Sequence, residues 1–119
     1  MDRDELTRWV DGYRRAWETN DPGDVGGLFT DDATYRTAPG AEPWAGRDAI
    51  VEGWIEAKDD PGTWSFDFDV LAIADDLGFV QGLTTYAADP PRTYDNLWVI
   101  RLAEDGRCRD YTEWYVKRR

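Results

Sequence analysis

The chain contains no histidine. That absence removes the commonest general base, the usual metal ligand and every Ser-His or Cys-His nucleophile pair. Any chemistry must then come from carboxylates, tyrosines, Arg, Lys, Ser, Thr or bound water. Cysteine occurs once, at Cys108, which excludes an intrachain disulfide. No stretch approaches the roughly 20 apolar residues of a membrane span, and the N-terminal MDRDELTRWV lacks the apolar run of a signal peptide. Positive charge is scarce as well: 14 Lys plus Arg stand against 25 Asp plus Glu, a formal charge of −11 that repels phosphate backbones and anionic membranes. These absences lead us to expect a cytoplasmic protein that binds neither nucleic acid nor membrane. No acidic cluster has ligand spacing such as that of a calcium loop, and neither a metal nor a cofactor is expected.

What the chain does have is aromatic mass. Its 119 residues are 41% hydrophobic and include seven tryptophans, enough for a single core, so residues 1–119 read as one domain. Leu6, Trp9, Val10, Tyr13, Ala16 and Trp17 recur at the spacing of an amphipathic helix over about residues 3–19. Asp21 is placed to cap, and Pro22 to begin, a short second helix carrying Val25, Leu28 and Phe29, which Thr30-Asp31-Asp32 ends. Residues 33–37 predict a short strand, and APGAEPWAGR after it reads as a Pro/Gly loop. Ile50, Val51, Trp54 and Ile55 mark a further helix from Arg47 to Lys58, broken by Asp59-Asp60-Pro61-Gly62. Strands follow over about 64–74, 79–87, 94–103 and 107–117. Helices first and a meander of strands afterwards predict an α+β fold, with N-terminal helices packed on one face of an antiparallel sheet.

The segment DGRCRDYTEWYV, residues 105–116, carries one carboxylate, Glu113, between Tyr111 and Tyr115 on its own face. Asp105-Gly106 between two alternating segments predicts a two-residue hairpin loop with a type I′ turn, which needs φ > 0 at both central residues. Such a loop pairs Glu104 with Arg107, Arg101 with Asp110, Val99 with Thr112, Trp98 with Glu113, Leu97 with Trp114 and Asn96 with Tyr115. Paired residues share a face. One face then holds Arg101, Asp110, Val99, Thr112, Leu97 and Trp114; the other holds Asn96, Trp98, Ile100, Tyr111, Glu113 and Tyr115. The second set suits the side under the helices, leaving Glu113 partly buried beside Asn96, Tyr111 and Tyr115. A carboxylate buried there without hydrogen bonds would cost on the order of several kcal/mol or titrate upward. The alternative is a solvated Glu113 on an amphipathic edge strand.

Other candidates also carry two readings. Tyr13, Trp17 and Trp54 lie on helical stripes, as core residues or as cavity lining, and Trp44 sits in a loop that could form a lid. Tyr35 could present its hydroxyl to a cavity or serve as a core tyrosine with a partnered OH. Asp67 and Asp69 alternate with Phe66 and Phe68, as two solvated acids beside two buried rings, unless a four-residue turn at 75–78 moves them to the Tyr86 face. Capping and solubility account for Asp31-Asp32, Asp59-Asp60 and Asp75-Asp76.

The order GYRRAWETNDPGDVGGLFTDDATYRTAPGAEPWAGRDAIVEGWIEA, then RTYDNLWVIRLAEDGRCRDYTEWYV, resembles a SnoaL-like domain of the nuclear transport factor 2-like superfamily over nearly the whole chain. The resemblance implies a cone: a strongly curved sheet wrapped around a long helix, with a deep pocket between them, assembled as a homodimer through the outer sheet face. It also implies that polar residues on the last strands orient a water or shuttle a proton. Glu113 matches the acid that limonene epoxide hydrolase-like members carry in the last strand. Their Arg and Asp fall at Thr84 and Tyr86, which breaks the water-activating set and argues against epoxide hydrolysis. The Asp/His pair of the family's polyketide cyclases has no counterpart in a chain without histidine.

Taken together, the sequence predicts a cone that binds a small, largely apolar organic molecule, with Tyr13, Trp17, Tyr35, Trp54, Asn96, Trp98, Tyr111 and Tyr115 as ligand-binding residues. Glu113 is the expected general base, and Tyr86, Tyr111 or Tyr115 the donor to a developing oxyanion, in cofactor-free chemistry of isomerase, hydratase or cyclase type. The alternative is a non-catalytic ligand-binding or dimerisation module.

Overall fold

In the computed structural model, which describes residues 1–119, Asp2 starts the fold by accepting the Glu5 N–H at 2.8 Å and capping helix α1, Arg3–Thr19. The stripe Leu6, Trp9, Val10, Tyr13 and Ala16 is buried along it. Asn20 ends the helix in the left-handed region (φ 51°), its N–H donating to the Ala16 carbonyl. The Asp21 carboxylate then accepts from Gly23 N and Asp24 N, and α2 runs Pro22–Gly26.

Phe29 lies outside α2, contrary to the reading of the sequence. It opens strand β1, Phe29–Arg36, which pairs in parallel with the last strand, Phe29 opposite Cys108 and Tyr35 opposite Tyr111. The Leu28 carbonyl already accepts from Cys108 N at 2.7 Å and from Trp9 Nε1 at 2.9 Å, partners that a longer helix could not supply. Thr30–Asp32 does not end a helix; it fills an irregularity in the β1 ladder. Within the Pro/Gly loop, Trp44–Ala45 forms a short strand β2 against Thr34 and Tyr35. Helix α3 spans Arg47–Glu56, and four strands follow: β3 Trp64–Ala74, β4 Leu77–Tyr86, β5 Arg92–Leu102 and β6 Cys108–Lys117.

The six strands form one open curved sheet in the order β2-β1-β6-β5-β4-β3. The β1/β6 pair is parallel and the other four are antiparallel. Its inner face meets the helices in an aromatic core in which Tyr13 lies 4.5 Å from Trp98 between ring centroids. Gly82 makes room on that face: a Cβ there would stand 2.4 Å from the Phe66 ring, which stacks on Trp98 at 4.8 Å.

Two bulges decide which side chains face inward. The β5/β6 turn is not type I′. Ala103 N donates to Arg107 O and Gly106 N to Ala103 O, giving a three-residue loop in which Gly106 alone has positive φ (86°). Asp105 keeps negative φ and accepts the Arg107 N–H through its side chain. Arg109, an extra residue in β6, cancels the one-residue offset, so Arg101–Asp110, Val99–Thr112, Trp98–Glu113, Leu97–Trp114 and Asn96–Tyr115 pair as the sequence predicts. In the β3/β4 hairpin, Ala74 pairs with Leu77 across a two-residue loop, which without correction would set Asp67 opposite Thr84 on the inner face. The bulge at Leu71 shifts the register by one, and Asp67 pairs with Leu83 outside. Asp67 and Asp69 are therefore exposed acids beside the buried Phe66 and partly buried Phe68. No helix is long and apolar enough to cross a membrane.

Candidate functional site

Between α1, α3 and the inner face of β4–β6 lies a cavity of about 380 Å³. Tyr13, Trp17, Tyr35, Trp54, Tyr86, Asn96, Trp98, Glu113 and Tyr115 line it, joined by Trp44, Asp59, Thr84 and Tyr94. Lys58 and Arg92 belong to the lining but are exposed at its rim.

The pairing register explains how Glu113 is held. Trp98 is directly opposite on β5 and Asn96 is diagonal to it. Trp98 Nε1 and Asn96 Nδ2 both donate to Glu113 Oε2 at 2.9 Å, while Oε1 accepts no hydrogen bond within the protein. Thr84 Oγ1 donates to Asn96 Oδ1 at 2.7 Å, which turns the amide nitrogen toward the carboxylate. Burial raises the Glu113 pKa; the Trp98 and Asn96 donors pull it partly back, and the charge of Asp59 raises it further.

Asp59 is the residue that the sequence did not reveal. Capping and solubility do not describe it: it lines the cavity, its Oδ2 accepting from Trp17 Nε1 at 3.0 Å and Tyr86 OH at 3.2 Å. Asn20 fixes the loop from beneath: its Nδ2 donates to the Asp59 carbonyl at 2.9 Å and its Oδ1 accepts from Trp54 Nε1 at 3.2 Å. Trp17 is held in turn by stacking on Trp64, with centroids 3.7 Å apart. The only local hint was a carboxylate in the connection between α3 and β3. Its neighbours are remote in sequence and could not be read there.

Among the tyrosines, Tyr13 and Tyr35 share a hydrogen bond, OH to OH, at 2.7 Å. Only one of the two protons lies in that bond, so the pair retains a second O–H. Burial raises both pKa values. Tyr86 is also raised, first by burial and then by Asp59, to which its proton is committed. Tyr111 departs from expectation. It lies opposite Ile100, two residues nearer the hairpin turn than Glu113, and is fully buried behind the cavity wall. It stacks on Tyr35 at 4.3 Å, and its hydroxyl has no partner. Neither the Tyr111 nor the Tyr115 hydroxyl bonds Glu113. Tyr115 is exposed at the rim, edge-on to Tyr94. Trp44 packs on Tyr35 at 5.0 Å and closes against Gly53, where a Cβ would meet the indole at 2.5 Å. No group of three His, Cys, Asp or Glu side chains is placed to share a metal ion.

The helices and the curved sheet wrapped around them make an α+β cone with an internal cavity. The family model of the SnoaL-like domain matches residues 10–111, and the chain belongs to this family. Its fold is similar to that of SalBIII, an epoxide hydrolase/cyclase-like enzyme of pyran ring formation in the polyether salinomycin (TM-score 0.75, 17% identity, 97% of this chain and 93% of that one). It is also similar to an NTF-2 like protein of unknown function from Burkholderia xenovorans (TM-score 0.70, 12% identity, 94% and 83%). A search of curated protein sequences gave no match.

Proposed function

We propose that the cavity binds a small, largely apolar organic molecule and that Glu113 serves it as a cofactor-free acid/base. The observation that carries this reading is the Glu113 carboxylate itself: one oxygen is fixed by Asn96 and Trp98, and the other is free of protein donors in an aromatic cavity. A pKa raised by burial moves a carboxylate toward the range where it both takes and returns a proton near neutral pH. In an isomerisation, Glu113 would remove a proton beside a carbonyl and deliver it elsewhere, while the spare O–H of the Tyr13/Tyr35 pair donates to the developing oxyanion. This assignment replaces Tyr86, whose proton serves Asp59, and Tyr111, which does not line the cavity. The similarity to an epoxide hydrolase/cyclase-like enzyme supports acid/base chemistry as a class.

The test uses 5-nitrobenzisoxazole, a neutral probe whose C–H proton passes to a carboxylate base as its N–O bond breaks to give a coloured cyanophenolate. Glu113 should accelerate this by about 10²-fold or more over acetate, and Glu113→Gln should abolish the gain. Turnover no faster than acetate, or retained in Glu113→Gln, refutes the base assignment. Turnover also separates this reading from a non-catalytic ligand-binding module.

The same reading includes a homodimer, supported by the exposure of Trp114 and Val116 on the outer sheet face, and a cytoplasmic setting, supported by a lone, buried Cys108.

A further inference from the structure

We propose that the ligand is an organic cation, its positively charged nitrogen held between Asp59 and Glu113 and its apolar body lying on the surrounding rings. This rests on the cavity being the ligand site and narrows the ligand class.

The two carboxylates are built alike. Each has one oxygen satisfied by two neutral donors of the wall, Trp17 and Tyr86 for Asp59, Trp98 and Asn96 for Glu113. Each leaves its second oxygen without a protein donor. Neither has a Lys or Arg partner: all six ion pairs of the chain involve other acids. Two like charges on the wall of one cavity repel, and a cation between them relieves that repulsion and supplies the missing counter-charge. A neutral apolar ligand would strip water from both free oxygens and return nothing for it, and an anion would be repelled.

The rings complete the recognition. Tyr13, Trp17, Trp54, Tyr86 and Trp98 surround the space, and aromatic faces attract ammonium groups, tryptophan most strongly. One lining ring already has this contact: the Arg92 guanidinium sits over Tyr86, 5.1 Å from its centroid. Arg92 and Lys58 are exposed, and neither forms an ion pair with Asp59 or Glu113.

The full chain would be titrated with benzyltrimethylammonium and with neopentylbenzene, its uncharged isostere, following the Trp17 and Trp98 indole N–H signals by NMR. The cation is expected to bind about tenfold or more tightly than the isostere, with Asp59→Asn and Glu113→Gln each narrowing that ratio severalfold. Equal or tighter binding of the isostere overturns the cation inference and leaves the cavity reading standing. Binding of neither probe overturns both. The ratio in the unmodified protein decides even where a variant fails to fold.

Discussion

Asn96 Nδ2 stands 2.9 Å from Glu113 Oε2, and Thr84, from the neighbouring strand, holds the amide in the orientation that makes this donation. Removing the donor leaves a largely buried carboxylate with only Trp98. Asn96→Ala should cost about 1.5–3 kcal/mol at neutral pH, the range for a hydrogen bond to a charged group. It should cost less in acid, where Glu113 is protonated. Urea unfolding at both pH values measures the difference. An equal cost at both would show that Asn96 supports packing rather than the charge.

Glu113 also sets a pH dependence. Burial raises its pKa above 4.5, so the folded protein holds this proton more tightly than the unfolded chain. The stability it contributes is fully present below the unfolded value and is lost as pH rises through the raised folded value. Glu113→Gln keeps an oxygen for Asn96 and Trp98 but carries no charge to desolvate. Its stability relative to the parent should therefore improve from about pH 4 to about pH 7, read as a shift in urea midpoint. A variant that loses ground over that range would contradict the buried carboxylate.

Asp59 and Tyr86 form a second linked pair. Burial is the larger cause of the raised Tyr86 pKa, and the Asp59 charge and hydrogen bond add to it. Asp59→Asn should bring Tyr86 ionisation part of the way down toward 10.0, measured by tyrosinate absorbance with Tyr86→Phe as the assignment control. No movement would mean that burial alone sets the value.

On the outer face, Trp114 is 49% exposed opposite the half-buried Leu97. If that face joins two copies, light scattering at micromolar concentration should give a dimer and Trp114→Glu a monomer, since a charge at the centre of an apolar contact is left desolvated. A monomeric parent protein would dismiss the dimer.

Local pattern carried much of the architecture into the sequence. The i, i+3, i+4 stripe from Leu6 to Trp17 gives α1 its limits, because helix periodicity is written in neighbouring residues. Alternation along residues 94–103 and 107–117 gives the last hairpin, and with it the pairing of Trp98 with Glu113. The type I′ turn expected at Asp105-Gly106 does not form, yet the register is the same. Asp105 is not left-handed, and Arg109 makes good the extra loop residue. At Leu71 a bulge of the same kind sends Asp67 and Asp69 outward, as their alternation with Phe66 and Phe68 suggests and as the two-residue loop alone would not.

By itself, then, the sequence determined the two longer helices, the meander and the family resemblance, all of them matters of periodicity, turn residues and short motifs, and it offered an inward Glu113 as one of two readings. Only the tertiary structure decided that β1 runs parallel to β6, that Tyr111 sits behind the cavity, and that Asp59 stands in it with Trp17 and Tyr86. The physical reason is distance along the chain. Asp59 is fixed by Asn20, 39 residues away, and by Tyr86, 27 residues away, and such contacts exist only once helix, loop and sheet have closed on one another.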